Sequence, residues 1–397
     1  MNPPRKKGGF YFYSMRKGEK DVMIYFDNAA TNGFHPSSVT EAAVTAIKHL
    51  SANPGRSGHR LSVAGAEIVY NARKEIAAFF GLSHPERVIF TKNCTEALNT
   101  AIFGTVKEGS HVITTCYEHN SVLRPLFFLA KAGKIRLDIV TPAEGQTLTE
   151  RIAEVLRKNT CLVAVNHISN VTGQIQPVRE IGALLKGTDT LFLVDAAQSA
   201  GHVPIDMEAL GIDLLAFAGH KGMYGIAGSG GLLIREGADV RPLTMGGTGT
   251  ESLSLDQPRF YPERLESGTL NLPAIAALSE GAHYIATSMP AFSEQLTQYT
   301  NLLVRELSAF SAVTLYSKPN PAGIVAFNLM NLSSEEGAEI LSNRFDIAVR
   351  GGLHCAPLMH RAIGTERTGA VRVSLSPHNT VREIRILLNA VRRMTLS

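Results

Sequence analysis

Two apolar segments of the sequence each end in a residue that can take part in chemistry. Residues 191–194 lead directly into Asp195, and residues 214–217 lead into a turn that contains Lys221. A short apolar run without alternation is typical of a strand that is buried on both faces of a parallel sheet. The carboxyl ends of such strands open into the crevice where α/β proteins bind ligands. We therefore expect the carboxylate of Asp195 and the amine of Lys221 to meet at one site.

A carboxylate and an amine in one crevice suit the chemistry of pyridoxal 5'-phosphate. A lysine holds the aldehyde of this cofactor as a Schiff base, and an aspartate keeps its pyridine nitrogen protonated so that the ring withdraws electrons. Gln198 follows Asp195 by three positions and is placed to donate to the phenolate oxygen of the cofactor. Each residue also has an ordinary alternative, since an aspartate after a strand often caps a helix and a loop lysine is usually solvated.

A candidate phosphate site follows the strand predicted at residues 88–91. Residues 92–96 lead from this strand into a helical pattern at residues 97–103, and Thr95 is placed as the N-cap of that helix. The free N–H groups of a helix N-terminus, together with a capping hydroxyl, bind phosphate readily. The alternative is a cap without any ligand.

His119 follows a third predicted strand at residues 112–115. Its imidazole can stack on a pyridine ring or relay a proton. A single histidine after a strand is more often an ordinary hydrogen-bonded polar residue, so this role depends on the other site residues.

Six short motifs resemble those of cysteine desulfurases, which belong to the class V aminotransferase superfamily of fold-type I pyridoxal phosphate enzymes. The resemblance extends in order from about Tyr25 to the C-terminus. The motifs are Asp-Asn-Ala-Ala-Thr at 27–31, Thr-Glu-Ala at 95–97, Glu-His-Asn-Ser at 118–121, Ser-Asn-Val-Thr-Gly at 169–173, Asp-Ala-Ala-Gln-Ser at 195–199 and Gly-His-Lys at 219–221.

The resemblance implies an α/β fold of the fold-type I class and a homodimer. A large cofactor-binding domain is expected at residues 25–280, with a mostly parallel central sheet. A smaller C-terminal α+β domain is expected at residues 281–397. Lys221 is implied as the residue that carries the cofactor.

Cys355 is the candidate nucleophile for sulfur chemistry. A thiolate aimed at the substrate sulfur would take that sulfur as an enzyme persulfide and leave alanine. The surrounding motif at residues 349–359 resembles the desulfurase group in which the cysteine lies on a short structured segment, so a sulfur-acceptor protein or a small thiol must come to collect the sulfur. An unperturbed thiol has a pKa near ~8.5 and is mostly protonated at pH 7. His354, Arg350 and the ionisation of the substrate are the candidates for shifting it; the alternative for Cys355 is a small apolar core residue.

An arginine is expected to bind the carboxylate of the amino acid, because its planar fork matches that group bidentately. Arg372 lies in a strand-like stretch that resembles the family segment with this role, and Asn170 is its usual companion. Arg350 and Arg56 are weaker candidates. Residues 53–60 around Arg56 have the polar composition of a loop at a site entrance.

The segment at residues 266–271 resembles the family stretch that reaches across the dimer. This resemblance implies that Thr269 binds the cofactor phosphate of the neighbouring subunit. Ala218 departs from the family pattern, because members often have a serine there that binds the phosphate. His220 supplies one remaining donor, and weaker retention of the cofactor is the expected consequence.

Composition and charge favour a cytoplasmic enzyme. The chain has 397 residues, 44% of them hydrophobic and 19% charged, which is enough to bury the cores of two domains. No apolar run approaches the ~20 residues of a membrane span, and the four cysteines have neither metal nor disulfide spacing. The formal charge of +4 arises within residues 1–22, so we expect a flexible basic extension at residues 1–24 and no nucleic-acid binding by the rest of the chain.

Three classes of function compete. A cysteine desulfurase uses all the residues above, with L-cysteine as substrate, and a selenocysteine lyase would use nearly the same site for L-selenocysteine. A transaminase or a kynureninase-like hydrolase would need Lys221 and Asp195 but not Cys355. A non-catalytic scaffold would have no need of Lys221. We also expect a long helix from residue 272 through 307, followed by strands at 314–332 and 347–375 that form a second sheet.

Overall fold

Strands and helices alternate from residue 88 to residue 195 in the computed structural model, which describes residues 23–395, and two more strands follow by residue 234 with no helix between them. Residues 1–22 of the predicted basic extension lie outside the described residues. No helix among the described residues is both long enough and apolar enough to cross a membrane.

The strands are β1 (Ile24–Tyr25), β2 (Val88–Thr91), β3 (Ser110–Thr115), β4 (Ile135–Val140), β5 (Thr160–Asn166), β6 (Leu191–Asp195), β7 (Leu214–Ala218), β8 (Gly230–Ile234), β9 (Val313–Leu315), β10 (Ile324–Leu329), β11 (Ile347–Ala348) and β12 (Val371–Ser374). The helices are α1 (Ser37–His49), α2 (Arg60–Phe79), α3 (Cys94–Thr105), α4 (Asn120–Lys131), α5 (Leu148–Val155), α6 (Val178–Leu185), α7 (Leu272–Leu307), α8 (Ser334–Phe345), α9 (Pro357–Ala362) and α10 (Val381–Thr395).

The central sheet has seven strands in the order β2-β8-β7-β6-β5-β3-β4. Five of them, from β7 to β4, are parallel, and β8 is antiparallel to both of its neighbours. Asn166 at the end of β5 lies opposite Asp195 at the end of β6. The carboxyl ends of the parallel strands therefore meet at one edge, as the sequence predicts.

Both faces of this sheet are covered, and the strands show why. Phe192 and Val194 belong to one hydrophobic core, whereas Leu193 between them belongs to the core on the opposite face. Successive side chains of a strand point to opposite faces. A strand that is apolar at every position is thus stable only when helices cover the sheet on both sides.

The C-terminal part of the chain begins with the 36-residue helix α7, at the bounds that the sequence predicts. Beyond it, β12, β10 and β9 form an antiparallel sheet. The expectation that residues 347–375 all serve this second sheet is wrong for β11, which pairs in parallel with β1. Phe26 follows β1 and packs in the C-terminal core. The division into domains at residue 280 stays a proposal.

Candidate active site

A cleft of about 520 Å³ opens at the carboxyl ends of β5, β6 and β7. Its volume lies within the range of sites for small molecules and cofactors. The cleft brings together most of the predicted site residues. It is lined by Asn93, Cys94, Thr95, Leu98, His119, Ser121, Asn166, Ile168, Asn170, Asp195, Ala197, Gln198, Ala218, His220 and Lys221.

Asp195 and Lys221 share this cleft, as predicted from the two strands that precede them. The Asp195 carboxylate accepts hydrogen bonds from the backbone N–H of Ala197 (2.9 Å) and from the Cys94 thiol (3.5 Å). Burial raises the pKa of Asp195, and the charge of Lys221 opposes that rise. Burial likewise lowers the pKa of Lys221, so its amine is more readily available as a nucleophile.

The turn that carries Lys221 is fixed by backbone contacts. The N–H of Gly219 donates to the Ser229 carbonyl (3.0 Å), and the N–H of Gly225 donates to the Gly219 carbonyl (2.8 Å). A Cβ atom on Gly219 would lie 2.1 Å from the Ser229 hydroxyl, so only glycine fits there. The lysine is thus held at a defined place in the cleft.

The N-terminus of α3 also faces the cleft, but its cap differs from the prediction. The prediction of Thr95 as N-cap is wrong: Asn93 has the extended backbone of a cap, and its side chain accepts from the Glu96 N–H at 2.9 Å. Thr95 is the second residue of the helix, with its hydroxyl 2.8 Å from that of Ser121. Ser121 therefore brings a hydroxyl to a cleft in which Ala218 has none.

His119 caps α4, where its Nδ1 accepts from the Ser121 N–H (3.1 Å). Burial, together with the positive charges of Lys221 and Arg350, lowers the pKa of His119 to about 4. The imidazole is therefore neutral at pH 7. His220 is neutral for the same two reasons, burial and Lys221, which lower its pKa to about 4; its Nδ1 lies 3.1 Å from the Thr31 hydroxyl.

Cys355 lies exposed on the short segment between β11 and α9. His354 and Cys355 both have left-handed backbone, with φ of 47° and 59°. Such geometry is costly for residues other than glycine and persists only where contacts hold it. Two contacts do so here, because the Asn120 N–H donates to the Cys355 carbonyl and the Asn170 amide donates to the His354 carbonyl, both at 2.7 Å.

His354 is buried, and its Nε2 lies 2.9 Å from the Ala370 carbonyl. Burial and the nearby charge of Arg372 lower the pKa of His354 to about 3. The imidazole is uncharged at pH 7, so it brings no positive charge to the neighbouring Cys355. The prediction that His354 supplies a positive charge beside Cys355 is therefore wrong.

Arg372 is buried and already paired. Its guanidinium donates to the Asp27 carboxylate (2.8 Å) and to the Asn170 carbonyl (3.0 Å), while its Nε has no hydrogen-bond partner among the described residues. Arg350 lies beside it, because the two backbones exchange hydrogen bonds of 3.2 and 2.7 Å. Asn170 also has a buried oxygen, Oδ1, that no described residue contacts by hydrogen bond.

Three predicted residues remain to be placed. Gln198 lines the cleft and donates to the Ala29 carbonyl at 2.9 Å. Thr269 does not line this cleft but a separate one of about 1010 Å³. Arg56 donates to the carbonyls of Gly247 and Gly268 at 3.2 and 3.3 Å, so it supports the segment that carries Thr269 rather than the cleft.

Sequence reasoning assigned no role to Asp27, Cys94 or Asn166. Asn166 and Cys94 line the cleft, and Asp27 is the ion-pair partner of Arg372. Asn166 is the last residue of an apolar strand, the same signal that identified Asp195, and it could have been found in this way.

The residues of the cleft fit pyridoxal phosphate. Lys221 presents an amine for the aldehyde, and Asp195 presents a buried carboxylate for the pyridine nitrogen. The first turn of α3 offers free N–H groups for a phosphate. The buried Oδ1 atoms of Asn166 and Asn170 lack hydrogen-bond partners among the described residues, as expected for a cleft built to hold a polar ligand.

Comparisons with known proteins agree with this chemistry. The aminotransferase class-V family model matches residues 24–387. The chain is 34% identical over 373 residues to a probable cysteine desulfurase of Methanothermobacter thermautotrophicus, covering 92% of each chain. It is 35% identical over 390 residues to a probable cysteine desulfurase of Pyrococcus abyssi, covering 94% of this chain and 95% of the relative. A solved apo structure of a cysteine desulfurase from Thermococcus onnurineus NA1 superposes with a TM-score of 0.87 at 35% identity, covering 94% of this chain and 95% of that one.

Proposed function

Because the chain belongs to the aminotransferase class-V family and, within it, to the cysteine desulfurases, we propose that it converts L-cysteine to L-alanine and takes the sulfur onto Cys355 as a persulfide. The family and the fold class predicted from the sequence are thereby confirmed. The observation that carries the role of Cys355 is its place on an exposed turn whose backbone is bound by Asn120 and Asn170.

Five residues of the cleft are proposed to hold pyridoxal phosphate. When bound, this cofactor withdraws electrons from the amino acid joined to it. Lys221 binds the aldehyde, and Asp195 keeps the pyridine nitrogen protonated. Thr95 and His220 hold the phosphate together with the N–H groups of α3, and neutral His119 covers the ring.

The substrate carboxylate is proposed to bind at Arg372, with Asn170 and Arg350 beside it. Arg372 is buried, so its interaction with a carboxylate is stronger than at a water-exposed site. Asp27 holds the guanidinium in place before the substrate arrives. Arg350 adds positive charge on the side of Cys355.

Sulfur transfer needs one nucleophile and one proton. The thiolate of Cys355 attacks the substrate sulfur, and a sulfur–sulfur bond forms as the carbon–sulfur bond breaks. The electron pair of the broken bond goes to the β-carbon of the substrate, which takes up a proton to give alanine. Because Nδ1 of neutral His119 accepts from the Ser121 N–H, the ring proton lies on Nε2, which can donate that proton to the substrate and take it back.

We further propose a cytoplasmic homodimer with Thr269 bound to the partner's cofactor. Thr269 lies outside the cleft of its own chain, and the neighbouring loop exposes Met245, Leu253 and Leu255 to solvent. Apolar side chains exposed together are typical of a surface that another chain covers. The exposure of Cys355 supports delivery of the sulfur to an acceptor protein or a small thiol.

The test is Cys355→Ala compared with Cys161→Ala. Cys161 lies on β5 and does not line the cleft, so it controls for the loss of a thiol. We expect Cys355→Ala to retain the visible absorbance of the cofactor but to lose at least about 100-fold in alanine and sulfide from L-cysteine, since removing a nucleophile costs several decades of rate.

Alanine and sulfide formation by Cys355→Ala at the rate of Cys161→Ala would contradict the persulfide role. A parallel assay with L-selenocysteine separates the two substrates. Turnover of L-selenocysteine alone by the unaltered enzyme would replace the proposed function with that of a selenocysteine lyase.

A further inference from the structure

Glu118 is a fully buried carboxyl group beneath the cleft, and it is not one of the residues assigned above. Its Oε1 accepts from the Thr115 hydroxyl (2.6 Å) and from the Asn166 backbone N–H (3.0 Å). Its Oε2 is buried and has no hydrogen-bond partner among the described residues. A carboxylate in this position would leave one charged oxygen without any donor.

No cation among residues 23–395 pairs with Glu118, whereas Asp195 lies close enough to act on it. Burial raises the pKa of Glu118 to about 8, the charge of Asp195 adds to the rise, and the two hydrogen bonds oppose it. The charge of Glu118 would also raise the pKa of the Cys116 thiol, just after β3. The Asp195 carboxylate, in contrast, is stabilised by the positive charge of Lys221 and by a hydrogen bond from the Ala197 N–H. A cation therefore favours the ionised form of Asp195, whereas no cation among the described residues does so at Glu118.

The same carboxyl group ties together the elements that carry the active residues. Glu118 bonds the end of β3 through Thr115 and the end of β5 through Asn166, and the Asn166 amide returns a hydrogen bond of 2.6 Å to the Tyr117 carbonyl. The next residues along the chain are His119, in the cleft, and Asn120, whose N–H holds the Cys355 carbonyl.

We propose that Glu118 is a positioning residue that acts as an uncharged carboxylic acid, fixing the turn that carries His119 and Asn120. In this state it leaves Asp195 as the ionised carboxylate that faces the cofactor. Ionisation of Glu118 would place a second negative charge in the same water-poor region. The effect on activity rests on the proposed function, whereas the protonation state does not.

The protonation state is tested by infrared difference spectroscopy of the full-length holoenzyme. Glu118→Gln keeps the size of the side chain and an oxygen acceptor, so it is the matched control. We expect a protonated carboxyl band that is present at pH 7 in the unaltered enzyme, absent from Glu118→Gln, and lost as the pH is raised through about 8. Absence of this band at pH 7 would overturn the proposal. Thr115→Val, which removes one donor to Oε1, is expected to shift the band, and it identifies the band independently if Glu118→Gln does not fold.

The positioning role is tested with kcat/KM for L-cysteine. Glu118→Ala loses both hydrogen bonds, so its kcat/KM should be at least about tenfold lower than that of the unaltered enzyme at pH 7. Glu118→Gln keeps an oxygen acceptor, so its kcat/KM should be close to that of the unaltered enzyme. The activity ratio of Glu118→Gln to the unaltered enzyme should rise about tenfold between pH 7 and pH 9, since only the carboxyl ionises. A ratio independent of pH would refute the proposal. A protein that shows the infrared band but does not turn over L-cysteine would instead contradict the proposed function and leave the protonation of Glu118 established.

Discussion

Replacing Asp27 by asparagine should show what a buried arginine costs when it loses its counterion. The Arg372 side chain is 1% exposed and that of Asp27 is 23% exposed, with 2.8 Å between guanidinium and carboxylate. Removing one partner of a buried pair destabilises a protein by about 3–5 kcal/mol because the other charge stays buried. Asp27 is partly hydrated, so we expect Asp27→Asn to lower the free energy of unfolding by about 3 kcal/mol, the lower end of this range.

The matched control is Asp239→Asn. Asp239 pairs with Arg264 at 2.6 Å, but its side chain is 71% exposed, and exposed pairs contribute about 0–1 kcal/mol. The free energy of unfolding is measured in urea for both variants, at one fixed protein concentration because subunit association also affects stability. Equal losses in the two variants would refute the view of Arg372 as a desolvated cation with Asp27 as its counterion.

The same comparison tests the substrate site. A carboxylate ligand that takes the place of Asp27 should stabilise Asp27→Asn more than it stabilises the unaltered enzyme. L-alanine, the proposed product, carries this carboxylate without a reactive sulfur. At 100 times its dissociation constant a ligand stabilises the folded state by about 2.7 kcal/mol. Equal stabilisation of both proteins by L-alanine would mean that its carboxylate binds elsewhere.

Two further predictions concern the dimer and the pH dependence of stability. Mixing Lys221→Ala chains with Thr269→Ala chains should give hybrid dimers in which one active site carries both defects and the other carries neither. Activity of the mixture above that of either parent variant supports a site shared between subunits. A protein that sediments as a monomer would contradict it. Because the pKa of Glu118 is raised from 4.5 to about 8, the folded state keeps a proton that the unfolded state loses, so stability falls as pH rises between these values. The free energy of unfolding, measured in urea, should fall by about 1.4 kcal/mol per pH unit between pH 5 and pH 8 in the unaltered enzyme relative to Glu118→Gln. A difference in free energy between the two proteins that does not change with pH would indicate an ordinary carboxyl group.

The meeting of Asp195 and Lys221 was predictable because it depends on local patterns. Each residue follows an uninterrupted apolar strand, and neighbouring parallel strands bring their carboxyl ends to one edge. The bounds of α7 were predictable for a similar reason, since a long helical pattern follows Asn271, whose side chain accepts from the Ala274 N–H. In both cases the information lies within a few residues of the feature.

Contacts between distant parts of the chain could not be predicted in this way. Asp27 and Arg372 are 345 positions apart, and nothing near either residue indicates the other. The pairing of β1 with β11 similarly joins segments that are far apart in the sequence, with Ile24 opposite Ile347. The prediction of the α3 cap was wrong for a different reason. Asn93 and Thr95 are both residue types that can cap a helix, and only the backbone geometry distinguishes them.

The proposed sites for the cofactor phosphate and for the substrate carboxylate do not depend on charged histidines. His119, His220 and His354 are all neutral at pH 7, chiefly because they are buried, and the positive charge of Lys221 or Arg372 lowers their pKa values further. These histidines therefore neither gain nor lose charge between pH 6 and pH 8. The phosphate is proposed to bind uncharged donors, which are Thr95, His220 and the first turn of α3, whereas the carboxylate is proposed to bind the guanidinium of Arg372.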